Sequence, residues 1–352
     1  MKKIRILLFM TALAMLMLLG TVTVSAAGKE GWVKVGSEYK WRQADGTILR
    51  QAGWNVINGR KYYLKSNGTV QTGWLTLDTG KYFLNTSSEP GLRGRPKTGK
   101  QVINGKTYFF SSVFRTLGKM AYGLVKSGNY YNYYDKNAGG AMVTSKWVTV
   151  KGKKYYFNRY GSSLKGMHRL NRKLYYFYTD GHIVQDRYGV QLKGNYYRCD
   201  KNGVLTQVSE LEGLAGLQVE KTGRTLRGAF DWSSNLQYYA ILPGVGAGEK
   251  AEDVYAQFGF ENGMGDCYVS AATFYWMAKV LGEKNLEFVM GHVAGTGGQK
   301  LDHAWVEQKE GDLYWFYDPY NANRGRVSWH FLYGTKNSSV YIDAHNHKVQ
   351  AS

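Results

Sequence analysis

From residue 31 to residue 208 apolar and polar positions alternate in short runs broken by turn residues, as in "GWNVINGRKYYLKSNGTVQ" and "KWVTVKGKKYYFNRYGSSLK". Alternation with period two predicts strands, and Asn58-Gly59, Asn104-Gly105 and Lys151-Gly152 between paired runs predict tight hairpins. Aromatic pairs recur from Tyr62-Tyr63 through Tyr82-Phe83, Tyr108-Phe109, Tyr133-Tyr134, Tyr155-Tyr156 and Tyr175-Tyr176 to Tyr196-Tyr197, at intervals of 20 to 26 residues. A degenerate first copy carries Trp32, Tyr39 and Trp41. One hairpin cannot bury such a face alone, so the repeats are expected to stack as an all-β solenoid.

Near Leu211 the period changes. In "DCYVSAATFYWMAKVLG" the apolar positions Val269, Ala272, Trp276 and Val280 fall three and four residues apart, which predicts a helix with Asp266 as its N-cap and Gly282 at its end. "LDHAWVEQKEGDLYWFYDPY" reads as a hairpin of His303–Gln308 and Leu313–Asp318. A two-residue turn at Glu310-Gly311 sets His303 directly opposite Asp318, with Trp305 and Phe316 on the same face. The chain therefore divides into residues 1–26, a repeat region at 31–208 and a globular region at 210–352.

Residues 1–26 place Lys2, Lys3 and Arg5 before an apolar run and end in Val24-Ser25-Ala26, the pattern of a cleaved secretory signal. An uncleaved anchor is the competing reading, for which the run is short. No later segment is apolar enough to span a bilayer, so a secreted, wall-associated protein is expected. Up to residue 209 there are 34 Lys plus Arg and 9 Asp plus Glu, and from residue 210 onward 12 and 17, which gives +25 and −5. The basic half suits a polyanion. Nucleic acid would fit the charge, but export and the lack of a nucleic-acid fold argue against it. Cys199 and Cys267 are the whole cysteine supply, too few for a disulfide framework, with a bridge between them as the competing reading; Cys199 is otherwise read as a spare surface thiol.

The repeats, roughly residues 31–208, resemble the cell-wall-binding repeats of exported Gram-positive proteins, the choline- and glucan-binding type. That resemblance implies ligand cages built from the Gly-Trp tryptophans and aromatics of the next hairpin. Trp32, Trp54, Trp74 and Trp147, with Tyr62, Tyr63 and Tyr82, are the wall-ligand candidates; the competing reading makes these rings packing residues. Choline, glucan and teichoic acid are the candidate wall polymers or groups, with teichoic acid held by spread Lys and Arg.

Cys267 at a helix start, His303 on a strand and Asp318 across the ladder supply nucleophile, base and orienter. Gly265-Asp266-Cys267, His-Ala-Trp-Val-Glu at 303–307 and Tyr-Asp-Pro at 317–319 resemble the three blocks of the transglutaminase-like superfamily. The resemblance implies a papain-like α+β fold, no cofactor, and acyl transfer on a peptide or protein substrate. Trp232, Tyr238 and Tyr239 are oxyanion-hole candidates by position. Hydrolysis is the favoured outcome and crosslinking the next; a wall-binding adhesin or scaffold with an inactive fold is the alternative. "PGVGAGEK" at 243–250 reads as a mobile loop, since Glu249 stands where a phosphate loop needs glycine. His345 and His347 lack a third ligand, so no metal site is read.

Overall fold

The computed structural model describes residues 28–311, 313–323 and 341–342. The expected signal at 1–26 and His345 and His347 lie outside them. The described residues up to Lys146, with Arg159–Ser162, form one compact unit; Trp147–Asn158 and the residues from Ser163 onward form a second.

The first unit is a succession of antiparallel hairpins. Gly31–Val35 pairs with Glu38–Arg42, Gly53–Ile57 with Arg60–Leu64, Gly73–Leu77 with Gly80–Leu84, Gly99–Ile103 with Lys106–Phe110, and Gly123–Ser127 with Tyr130–Asp135. The register sets Trp32 opposite Trp41, Trp54 opposite Tyr63 and Trp74 opposite Phe83. At the turns, Asn58 and Gly59 both have positive φ, 49° and 71°, the twist that lets two antiparallel strands close over two residues. Single bridges such as Lys40↔Thr69 and Tyr82↔Lys119 tie hairpins to later chain. Leu64, Leu84 and Phe110 are fully buried, so the aliphatic and aromatic residues of each hairpin are covered by its neighbours. This is a repeat-rich β-hairpin fold, as the periodicity predicts.

The second unit joins repeats to a different architecture. A five-stranded sheet has the order Gly166–Leu170, Lys173–Phe177, Leu205–Val208, Asn195–Cys199, Arg187–Leu192. Helix α1 (Glu210–Lys221), capped by Ser209 accepting from the Glu212 amide, follows directly and lies on the strand Arg187–Leu192. Glycine makes that approach possible. A Cβ at Gly216 would stand 2.3 Å from the Tyr188 carbonyl oxygen, and one at Gly189 would stand 2.3 Å from the Leu217 nitrogen. Glu220 accepts the Tyr188 amide at 2.8 Å and pairs with Arg224 at 2.8 Å, while Arg224 also reaches Asp186 at 3.2 Å.

Helices α2 (Leu226–Ser234), α3 (Ala251–Asn262) and α4 (Cys267–Leu281) follow, then a sheet in the order Leu313–Tyr317, Lys300–Glu310, Leu286–Ala294, Tyr341–Ile342, and helix α5 (Pro319–Asn323). Phe274, Met277 and Ala278 of α4 share one core with Ala304, Val306 and Phe288 of the sheet and with Ala215 and Val219 of α1. The change of character at 208–210 is therefore a change of fold inside the second unit. Among the described residues no helix is long and apolar enough to cross a membrane.

Candidate functional site

Helix α4 begins at Cys267, as its sequence pattern predicts. The Asp266 carboxylate accepts the Tyr268 amide at 2.9 Å, and the helix ends at Gly282 with φ 102°. Cys267 is buried, 7% exposed, in the first turn, where backbone N–H groups lack helical partners and the helix dipole favours negative charge. Burial pushes the Asp266 carboxyl above its ordinary range, against the hydrogen bonds it accepts from Tyr268 and Val269.

His303 lies in the strand Lys300–Glu310 and Asp318 follows the last pair of the neighbouring strand. The ladder runs Glu310↔Leu313, Glu307↔Phe316 and Val306↔Tyr317, so the register differs by two from the expected one and His303 does not face Asp318 across it. The turn sits one residue later than the sequence reading places it, with Gly311 at φ 61°. Because the shift is even, the faces survive: Trp305 and Phe316 belong to one buried cluster. Asp318 reaches His303 from another role, as the residue that caps α5. Its Oδ1 accepts the Asn321 amide at 3.0 Å, and Pro319 takes the first helical position, where a missing N–H costs nothing. Its Oδ2 lies 2.8 Å from His303 Nε2 and accepts the Asn321 side-chain amide at 2.8 Å.

The two side chains are each 4% exposed. Burial alone would disfavour the imidazolium. The Asp318 charge and hydrogen bond, with a further hydrogen bond donated by the ring to the Cys267 side chain, overcome it and raise the His303 pKa to about 10. Burial likewise opposes ionisation of Asp318, yet the His303 charge and the Asn321 hydrogen bonds hold its carboxyl below the usual range. With Nε2 held by Asp318, Nδ1 is the ring nitrogen left for the thiol. Trp305 stacks at 6.2 Å beside His303 and gives its indole N–H to Glu307 at 2.7 Å. Asn321 belongs to this cluster although the sequence reading omits it; its signal was the Asp-Pro-x-Asn spacing of a capped helix start. Tyr255 and Tyr268, 5.6 Å apart, border Cys267 and Asp266.

The oxyanion candidates separate. Tyr238 pairs in parallel with Gly265, two residues before the cysteine, and the Tyr239 amide is taken by the Gly265 carbonyl at 3.0 Å. Trp232 stacks on Phe260 at 5.7 Å within the helical layer. Cys199 and Cys267 are both free, so no bridge joins them. Cys199 is not at the surface: it is buried at the end of the strand Asn195–Cys199, between neighbouring strands of the five-stranded sheet, its Sγ 3.2 Å from the Val184 carbonyl oxygen.

The wall-ligand candidates form a recurring figure. Trp32 lies 5.2 Å from Trp41 and 4.8 Å from Tyr62; Trp54 lies 5.3 Å from Tyr63 and 5.1 Å from Tyr82; Trp74 lies 5.1 Å from both Phe83 and Tyr108. In the second unit Trp147 lies 5.2 Å from Tyr156 and 5.1 Å from Tyr175. Each tryptophan thus touches the aromatic opposite it and one from the next aromatic-bearing hairpin. Tyr62 and Tyr82 are nearly buried, 2% and 6% exposed, and serve as walls between hairpins, whereas the four tryptophans and Tyr63 remain half-buried.

Residues 97–147 match the choline-binding repeat family, and residues 53–69 and 145–162 match the cell wall binding repeat family. The N-terminal part of the chain therefore carries cell-wall-binding repeats of the choline-binding type. The chain is 28% identical over 251 residues to glucosyltransferase-S of Streptococcus mutans, covering 59% of this chain and 17% of that protein. It is 29% identical over 154 residues to glucosyltransferase-S of Streptococcus downei, covering 38% and 11%. It thus spans less than a fifth of the length of these curated relatives. The structure of CbpJ from Streptococcus pneumoniae aligns over 51% of this chain and 64% of that one at 22% identity, with a TM-score of 0.40.

Proposed function

We propose that this chain is an exported enzyme held at the bacterial wall by its repeats and acting through Cys267, His303 and Asp318 on peptide or carboxamide bonds. The observation that carries the reading is the buried, hydrogen-bonded Cys267–His303–Asp318 set at the start of α4. A domain kept for binding alone has no chemical use for all three groups together. The resemblance to the transglutaminase-like superfamily, with its papain-like α+β fold, belongs to the same proposal.

The chemistry follows from the groups. The Cys267 sulfur attacks the carbonyl carbon, while the Cys267 backbone N–H, without a partner in its own helix, faces the developing oxyanion with one further upstream donor. His303 gives its Nδ1 proton to the departing amine as the C–N bond breaks and a thioester forms. Water then yields an acid; a lysine amine yields a new amide. Asp318 keeps the ring oriented through Nε2 and opposes the imidazolium charge.

The test uses mature protein with a glutamine-containing casein or wall-peptide mixture and a biotinylated amine, read by mass spectrometry beside Cys267→Ala. Amine incorporation lost in the variant identifies a crosslinking enzyme. New peptide termini or deamidated glutamine without incorporation identify a hydrolase, the favoured outcome. A wall-binding scaffold or adhesin with an inactive fold is the second reading, favoured by the family matches, which fall on the repeats. Its mark is a wild-type protein that yields none of these products and whose Cys267 alkylates no faster than an unactivated thiol.

A further inference from the structure

Three of the four tryptophan cages already hold a cation from the chain itself. The ammonium of Lys61 lies 4.3 Å from the Trp54 ring centroid, that of Lys81 4.7 Å from Trp74, and that of Lys154 5.7 Å from Trp147. The placement comes from register. Trp54 stands two residues before Val56, the partner of Lys61, and Trp74 two before Thr76, the partner of Lys81, so these two lysines are the diagonal cross-strand neighbours of their tryptophans. The three lysines are half-buried, and among the described residues none pairs with a carboxylate. The first repeat differs: the position of Lys61 is taken by Tyr39, partner of Lys34, and among the described residues Trp32 has Trp41 and Tyr62 as its ring neighbours.

An aromatic cage binds a quaternary ammonium because ring faces are negative. A lysine fixed over that face covers it and repels a second cation at close range, so its own charge becomes the feature the cage offers. The uncovered part of the half-buried indole suits the C–H surface of a polyol or sugar, and the ammonium suits an anion beside it.

We infer that the Trp54–Lys61, Trp74–Lys81 and Trp147–Lys154 cages are subsites for a phosphodiester-linked, hydroxylated wall polymer, with phosphate on lysine and polyol on tryptophan, and that they exclude choline. The inference rests on reading the repeats as wall-polymer holders. Repetition of the same subsite along the chain turns weak contacts into retention by multivalency, and makes that retention salt-sensitive.

The test compares full-length mature protein with two triple variants, Lys61→Gln/Lys81→Gln/Lys154→Gln at the cages and Lys106→Gln/Lys126→Gln/Lys136→Gln at exposed lysines elsewhere in the repeats. Both remove the same charge. The probes are choline-free poly(glycerol phosphate), dextran, choline chloride and purified wall sacculi. The cage triple is expected to lose at least ~tenfold in affinity for poly(glycerol phosphate) and the control triple far less, with added salt weakening the wild type. Excess choline is expected to leave the polymer bound. Equal losses in the two triples, release of the polymer by choline, or dextran bound as tightly as the phosphate polymer would each overturn the inference. Wild type that binds none of the sacculi would overturn the wall-holding reading itself, an outcome distinct from sacculi binding reversed by choline.

Discussion

His303 Nε2 lies 2.8 Å from Asp318 Oδ2 although the ladder between their strands does not pair the two residues. Asp318 acts instead from the cap of α5, where Asn321 holds both of its oxygens. Orientation of the imidazole thus depends on a helix start rather than on strand register.

Asp318→Asn replaces an acceptor by a group that can donate to Nε2, which favours the wrong tautomer at Nδ1. Turnover is expected to fall by about 10³–10⁴-fold, the scale seen when a triad carboxylate is made an amide. Asn321→Ala, which frees Asp318 without removing its charge, is expected to cost less, with a weakened His303 response in an NMR pH titration. Equal turnover in wild type and Asp318→Asn would remove the carboxylate from the mechanism.

The same pair makes stability depend on pH. The His303 pKa is raised to about 10 from an ordinary 6.5, so its contribution is complete below about pH 6.5 and is lost as pH rises toward 10. Asp318 is shifted the other way: its contribution is present above 3.8 and disappears as pH falls through its lowered pKa. Melting temperature is therefore expected to decline between about pH 7 and 10 in wild type. The decline should be shallower in Asp318→Asn, which removes the carboxylate that raises His303. Parallel profiles would show that another group controls the alkaline limb.

The two thiols supply an internal comparison. Burial and the neighbouring Asp200 push Cys199 up to about 12, and its Sγ is engaged with the Val184 carbonyl. Cys267 lies at a helix start with His303 within hydrogen-bonding reach of its side chain. With iodoacetamide near pH 6, Cys267 is expected to alkylate at least ~100-fold faster than Cys199, and His303→Ala to remove most of that advantage. Peptide mapping reads both sites in one digest. Comparable slow labelling of the two would leave the scaffold reading in place.

Short-range chemistry was legible in the residues. Asp266 and Gly282 bound the cysteine helix as their types dictate, and the Asn-Gly turns close the hairpins. The register was not, because Glu310, Gly311 and the residue after it allow two turn placements one residue apart, whose registers differ by two while keeping every face the same. The lysine over each tryptophan required that register before it could be seen, since Lys61 and Trp54 are seven positions apart in sequence. The burial of Tyr62 and Tyr82 came from stacking by neighbouring hairpins, which pair patterns within one repeat do not contain. At 208–210 charge and period both change, yet the interface across that point is continuous, and its glycines look like ordinary helix and strand residues.

That interface sets where the chain can be cut. Helix α1 rests on the strand Arg187–Leu192 through backbone contact at Gly189 and Gly216, and Glu220 binds the Tyr188 amide. A chain beginning at residue 209 leaves one face of α1 uncovered and Glu220 without the Tyr188 amide, and is expected to be insoluble or to melt well below the full protein. A chain beginning at Trp147 retains the whole second unit and is expected to fold, with native-like melting by circular dichroism and undiminished Cys267 reactivity. Gly216→Val within the full chain tests the contact alone: its side chain collides with the Tyr188 backbone, and a destabilisation of about 1–3 kcal/mol or more is expected. A stable, fully reactive chain from residue 209 would show that the last repeats merely adjoin the C-terminal helices and sheet.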